Sequence, residues 1–223
     1  MNGKIIQYEE NQISLKGYLS LPKSGKGIGF IVIQEWWCLV DHIKKQTDMF
    51  AENGFIAFAP DLYEGTTAEE PDHAMTLMHE LEMPNAANIL KTASKFISNH
   101  EGNITGKVGC VGYCMGGGMS LYLAAMQVVD AAVPYYGVLT KGDPDWNQVT
   151  CSIQGHYAEN DPVTDQVPEL KKTLDKLGIV NNFYIYPETE HAFCNDDRPE
   201  VYDKHAAELS SKRTIEFLKK ELS

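Results

Sequence analysis

Lys107-Val108-Gly109-Cys110-Val111-Gly112-Tyr113-Cys114-Met115-Gly116-Gly117-Gly118 joins a strand-forming run to a helix through the pattern G-x-C-x-G. In a nucleophile elbow the reactive residue sits at a tight, strained turn between a strand and a helix. Side chains two places before and two places after would collide across that turn, and Gly112 and Gly116 remove the collision. The same geometry puts Cys114 at a helix N-terminus, where backbone N–H groups favour a thiolate. The N–H of Met115 can point at a developing oxyanion. The competing reading of Cys114, a small buried apolar residue, fits Cys110 better, because Cys110 lies inside the strand.

Upstream, Ile5, Ile6 and Tyr8, a turn at Glu9-Glu10-Asn11, then Ile13, Leu15, Tyr18 and Leu19 predict an antiparallel hairpin ending near Pro22. Phe30–Ile33 is a continuous apolar run, as in strands buried on both faces. Asp41 is the expected cap of a helix carrying Ile43, Met49 and Phe50, stopped by Asn53-Gly54. Phe55–Ala59 is a strand broken by Pro60. A polar excursion runs from Asp61 to about Met83, and helical spacing resumes with Ala87, Leu90, Ala93, Phe96 and Ile97. Downstream of the elbow, a helix over Met115–Gln127 is followed by strands at Ala131–Tyr136, Cys151–His156 and Phe183–Tyr186. Helices are expected over Val167–Leu177 and from about Tyr202 to Leu222, the last packing Leu209, Ile215 and Leu218. Strands alternating with helices imply one α/β domain over residues 1–223, with a mostly parallel sheet, an N-terminal antiparallel hairpin and helices on both faces. Ligands of such sheets sit at the carboxyl ends of the strands.

A nucleophile needs a base and the base an orienting carboxylate, here in the chain order nucleophile, acid, base. His191 follows the strand Phe183–Tyr186 in the last loop before the final helix, whereas His156 ends a strand and His205 falls within the last helix. Asp161, in the turn Glu159-Asn160-Asp161-Pro162, is the candidate acid, with Glu159 and Asp165 as competitors. His156, Glu159, Asp161 and His191 also invite a metal cluster. H-x-x-E spacing suits a helix, however, and these residues sit in a loop, so no metal is expected. The loop Glu35-Trp36-Trp37-Cys38 should supply a second oxyanion N–H, and a carboxylate beside a thiol would titrate with it as a pair.

The 223 residues carry a formal net charge of −12, spread along the chain, which repels phosphate backbones and argues against nucleic acid. No run of about 18 apolar residues exists, and the N-terminal residues hold no apolar signal core, so no membrane association is expected. Five scattered cysteines match neither a disulfide framework nor a zinc site, and the cytoplasm, with reduced thiols, is the expected location.

Gln34-Glu35-Trp36-Trp37, Ala59-Pro60-Asp61-Leu62-Tyr63, Gly112-Tyr113-Cys114-Met115-Gly116-Gly117, Glu159-Asn160-Asp161-Pro162 and His191-Ala192-Phe193 together resemble the dienelactone hydrolase family, in order across nearly the whole chain. The resemblance implies an α/β-hydrolase fold and a triad of Cys114, His191 and Asp161. It implies that Glu35 pairs with the resting thiol and moves when substrate binds, and that the N–H groups of Trp36 and Met115 hold the oxyanion. The implied reaction is hydrolysis of a lactone or small activated ester through a thioester, with no metal and no cofactor. Two departures stand out. The family holds a substrate carboxylate with arginines, one shortly after the catalytic histidine, and His191-Ala192-Phe193-Cys194-Asn195 has none. Arg198 is a nearby substitute, and losing such a clamp costs a few kcal/mol. Cys38 stands where the family usually has glycine, and a reversible disulfide with Cys114 is one hypothesis, an inert buried thiol the favoured reading. Trp37, Cys38, Tyr63, Phe193, Asn195 and Arg198 are the candidate pocket residues, with Met75 and Met78 in a lid. A thiol redox protein and a catalytically idle member of the fold are the alternatives to a hydrolase. The expected state is a monomer or small homo-oligomer acting on a small-molecule ester or lactone.

Overall fold

The computed structural model describes residues 2–10, 13–137, 139 and 142–223. They form two compact units, the first ending at Cys110 and the second beginning at Val111.

In the first unit the strands run in the order β1-β2-β4-β3-β5: β1 Lys4–Glu10, β2 Ile13–Ser20, β3 Gly27–Ile33, β4 Phe55–Pro60 and β5 Asn103–Tyr113, whose last residues continue into the second unit. β1 and β2 pair antiparallel, with Ile6 opposite Gly17, as the alternation predicts. Asn11 of the expected turn lies outside the described residues. β3 and β4 are parallel and buried along their whole length, the outcome that their continuous apolar runs demand. Phe55 meets Phe50 of α1 (Asp41–Glu52) at 5.9 Å, whereas Phe58 meets Phe96 of α3 (Met83–Ser98) at 5.4 Å. Residues three apart on a strand point to opposite faces, so α1 and α3 cover this part of the sheet from both sides.

Two local expectations need correcting. Asp41 does not cap α1: Val40 holds that position, and Asp41 sits in the first turn, paired with Lys44 at 3.0 Å. A carboxylate in the first turn still complements the helix dipole. The excursion from Asp61 contains a helix, α2 (Pro71–Glu80), of which Ala74 alone is buried. Periodicity missed it because a helix that buries one alanine shows no apolar stripe. The legible signal was Pro71, which suits a first helical turn.

In the second unit the end of β5 is followed in order by β6 (Ala131–Tyr135), β7 (Ser152–Ala158) and β8 (Asn181–Tyr186). β6, β7 and β8 are parallel, with Tyr135 opposite His156 and His156 opposite Tyr184. Tyr157 lines a pocket with Leu121 of α4 (Met115–Ala125) and with Val167 and Leu170 of α5 (Val167–Lys176). His156, the next residue along the strand, faces the other way, towards α6 (Lys204–Leu222), where Thr214 Oγ1 lies 3.0 Å from its Nε2. Helices therefore cover both faces here too. The core face of α6 is Ala206, Ser210, Thr214, Leu218 and Leu222, while the expected Leu209 and Ile215 are half-buried. Small and hydroxyl side chains take the buried face because polar partners lie beneath them: Tyr135 Oη is 2.8 Å from Thr214 Oγ1.

Candidate active site

The turn after β5 has the strain that its glycines advertise. Cys114 adopts φ 53° and ψ −113°, a conformation that L side chains rarely adopt, and its N–H donates to the Tyr135 carbonyl at 3.0 Å. A Cβ on Gly112 would lie 1.8 Å from the Gly116 carbonyl oxygen. A further close approach was not anticipated from the sequence: a Cβ on Gly117 would stand 2.7 Å from Gly137 Cα, so glycines press the start of α4 onto the end of β6. Gly112→Ala is therefore expected to destabilise the protein by about 3 kcal/mol, since backbone rather than a side chain must move. Thermal unfolding followed by circular dichroism should show Tm lowered by roughly 10 °C. An unchanged Tm would mean that the turn is looser than this geometry.

Of the five cysteines, Cys114 is the partly exposed one, while Cys38, Cys110, Cys151 and Cys194 are buried. Asp161 is buried and caps the short 3-10 turn Pro162–Gln166, its Oδ1 accepting from the Val163 N–H at 3.0 Å. That leaves Oδ2 for His191 Nδ1, at 2.6 Å. Burial disfavours the imidazolium, but hydrogen bonds from His191 to Asp161 and Cys114, together with their charges, outweigh it and push the His191 pKa up to about 10. His191 thus holds a proton at neutral pH, and the second unit brings Cys114, His191 and Asp161 together.

The loops bearing the acid and the histidine are stitched to each other. Asn160 N–H donates to the Thr189 carbonyl at 3.0 Å, Thr189 Oγ1 to the Tyr186 carbonyl at 2.9 Å, and Glu188 N–H to Glu159 Oε2 at 2.9 Å. Glu159, one competitor for the acid, is thus an exposed staple, and Asp165 is exposed within the short turn. Phe193 is fully buried against Tyr186 and Tyr136 at 5.0 and 5.5 Å, supporting the loop from beneath. Asn195 is buried and its Oδ1 accepts from Asp197 N–H at 3.1 Å, while Arg198 pairs with Glu200 at 2.8 Å.

His156 belongs to a different network. Its Nδ1 lies 2.8 Å from Tyr186 Oη, to which Arg213 Nη1 donates at 3.2 Å, and its Nε2 lies 3.2 Å from Gln154 Oε1. Burial, then the Arg213 charge, lowers its pKa to about 3, so it is a neutral structural histidine. Among the described residues no group of three His, Cys, Asp or Glu is placed to hold a metal ion, so the imagined cluster around His156 does not assemble.

In the first unit Glu35 is buried, and Trp36 and Trp37 are half-buried with ring centroids 5.2 Å apart. Cys38 has φ 85°, the left-handed region that favours glycine, and its Sγ lies 3.5 Å from Asp61 Oδ1. Burial, then the Asp61 charge, pushes its thiol up to about 12. A thiol held protonated is a poor attacker in disulfide exchange, which favours the inert reading of Cys38. Tyr63 is buried, its N–H bound to Asp61 Oδ1 at 3.0 Å, and Met75 is 45 % exposed on α2.

A model of the dienelactone hydrolase family matches residues 15–222. The chain belongs to that family. The usf protein of Aquifex pyrophilus is 36 % identical over 99 % of this chain and 100 % of its own. A putative carboxymethylenebutenolidase of Aquifex aeolicus is 33 % identical over 97 % and 98 %. A putative dienelactone hydrolase of Klebsiella pneumoniae superposes with a TM-score of 0.84 at 22 % identity, covering 96 % of each chain, which establishes the α/β-hydrolase fold. The chain is thus a dienelactone hydrolase-like hydrolase. Among the described residues no helix is long and apolar enough to cross a membrane.

Proposed function

We propose that the chain hydrolyses a lactone or small activated ester through a thioester on Cys114. The observation that carries this reading is the meeting of a strained, partly exposed Cys114 with a His191 held by Asp161 at 2.6 Å. The Cys114 thiolate attacks the substrate carbonyl, and the Met115 N–H, at the start of α4, receives the developing oxyanion. The C–O bond to the alkoxide breaks, and the alkoxide takes the His191 proton. His191, now neutral, removes a proton from water, which attacks the thioester. The thiolate leaves, the acid is released, and the imidazolium is restored. Asp161 keeps Nδ1 occupied, so that Nε2 serves the reaction. The second oxyanion donor, Trp36 N–H, and the pairing of Glu35 with the resting thiol come to this proposal from the family resemblance. All five cysteines are free thiols, as is usual where thiols are kept reduced, and on that ground we place the protein in the cytoplasm.

The substrate class follows from what the histidine loop lacks. Arg198 is engaged with Glu200, and Ala192–Asn195, after the catalytic imidazole, offers no cation to clamp a carboxylate, so a neutral lactone or ester should be preferred to one bearing a carboxylate. Hydrolysis of dienelactone is to be compared with that of neutral aryl esters and neutral lactones. A higher kcat/KM on the neutral compounds is the expected result. No turnover of any ester or lactone would count against the activity itself, and a preference for the carboxylate-bearing lactone against the neutral pocket. A thiol redox role finds no resolving partner in Cys110, which is buried within β5.

A further inference from the structure

β8 ends the strand order of the second unit, and among the described residues β7 is its hydrogen-bonded neighbour. Ile153 N–H donates to the Val180 carbonyl at 2.9 Å, and Glu159 N–H to the Tyr186 carbonyl at 3.0 Å. In a strand the N–H and C=O of one residue point to the same side, and successive residues alternate. The even-numbered residues 180 to 186 therefore face β7, and Asn181, Phe183 and Ile185 turn their backbone groups to the open side.

Natural sheets protect such an edge with lysine, proline, a bulge or a very short strand. β8 has no lysine or proline, and its register with β7 runs one to one from Asn181 to Tyr186 without a bulge. The run Leu177-Gly178-Ile179-Val180-Asn181-Asn182-Phe183-Tyr184-Ile185-Tyr186-Pro187 contains no charged residue, in a chain that is 22 % charged. Leu177, Val180 and Ile185 are 40 %, 64 % and 49 % exposed along it. Two copies each carrying −12 repel one another, and a strand with no charge of its own is where they approach at least cost. The flanking Asp175, which accepts from Asn181 Nδ2 at 2.9 Å, is paired with Lys171 at 2.8 Å, and Arg213 stacks on Tyr184.

We propose that β8 pairs antiparallel with β8 of a second copy, about a two-fold axis through Phe183. In that register Phe183 faces Phe183 of the second copy, and Asn181 and Ile185 face Ile185 and Asn181. All three pairings fall on the outward residues, each exchanging two N–H···O bonds, about six in all. A two-fold axis makes the contact self-complementary and closed, so it stops at a dimer. The occupant of the edge is a strand because only a strand matches a row of alternating donors and acceptors.

Sedimentation velocity across the micromolar range tests this, with wild type, Ile185→Pro and Ile185→Asp. The wild type should sediment as a dimer, and added salt should strengthen it by screening the repulsion. Ile185→Pro removes an outward N–H, hence two of the six bonds, yet leaves the β7 ladder intact, as proline on an edge strand does. It should weaken the dimer about tenfold to a hundredfold. Ile185→Asp changes a half-exposed side chain and adds charge at the contact, so it should also weaken the dimer without unfolding the chain. Hydrogen exchange of the wild type gives a reading free of variants: the amides of Phe183 and Ile185 should be protected in the dimer. A wild type that stays monomeric overturns the proposal. So does a dimer that both variants leave intact, or exchange at Phe183 and Ile185 as fast as at open loop amides.

Discussion

Replacing Cys114 with alanine is expected to lower kcat/KM by about 10^4-fold or more on every ester or lactone that the wild type turns over. The size follows from the absence of a deputy: Cys110, Cys151 and Cys194 are buried, and Cys38 is buried with its thiol pushed up to about 12. Serine at position 114 should restore little, leaving less than about a hundredth of the activity. A hydroxyl gives up its proton far less readily than a thiol, so its attack depends on full assistance from a general base, which a thiol needs much less. A thiolate needs no such base for attack, which is the advantage of cysteine beside an imidazolium. The alanine variant should retain its fold, because it removes one sulfur from a partly exposed site, and circular dichroism checks this. Alkylation of the native protein with iodoacetamide, read by peptide mass, should mark Cys114 ahead of the buried thiols. Equal activity of wild type and alanine variant would remove Cys114 from the reaction and with it the thioester.

The elbow was legible because sterics leave few residue choices at a turn where a Cβ on Gly112 would lie 1.8 Å from the Gly116 carbonyl oxygen. The buried strands β3 and β4 were legible because a strand covered on both faces must be apolar throughout. Where burial is slight or its chemistry polar, the signal fades. α2 buries one alanine and shows no stripe. α6 packs serine and threonine inward, so a search for leucines chose Leu209 and Ile215 and missed Ser210 and Thr214. Those hydroxyls make sense only once Tyr135 and His156 are known to lie beneath them. Chain order after the strands selected His191 over His156, and the reason became visible only in the folded state: His156 is locked between Tyr186, Gln154 and Thr214. The choice among Glu159, Asp161 and Asp165 likewise rests on direction. Only Asp161 turns a carboxylate oxygen to His191 Nδ1, with its other oxygen spent on the Val163 N–H. Spacing along a loop does not encode that direction.

Asp161→Asn is expected to lower kcat/KM by about 10^3- to 10^4-fold while leaving the protein folded. An asparagine can keep the Oδ1 acceptor for Val163 N–H and so preserve the turn cap. Its second group, an amide NH2, can only donate, so His191 Nδ1 must become an acceptor and the remaining proton moves to the wrong nitrogen. The change also removes the hydrogen bond that comes first, after burial, among the influences on the His191 pKa. The sign of the pH effect follows. In the wild type the folded pKa, about 10, lies above the ordinary histidine value of about 6.5. The imidazolium, with the stability that its partners give it, is therefore fully present below about 6.5 and lost as pH rises through about 10. Because the alkoxide takes its proton from that imidazolium, kcat/KM should fall on the basic side near pH 10, and in Asp161→Asn the fall should come at lower pH. Glu159→Gln is the control. Its side chain staples Glu188 N–H through an oxygen that glutamine retains, so activity and pH profile should match the wild type. If Asp161→Asn lost activity with an unmoved basic limb, Asp161 would be holding the loop in place without governing the proton on His191. If Glu159→Gln moved that limb instead, Glu159 would be the acid.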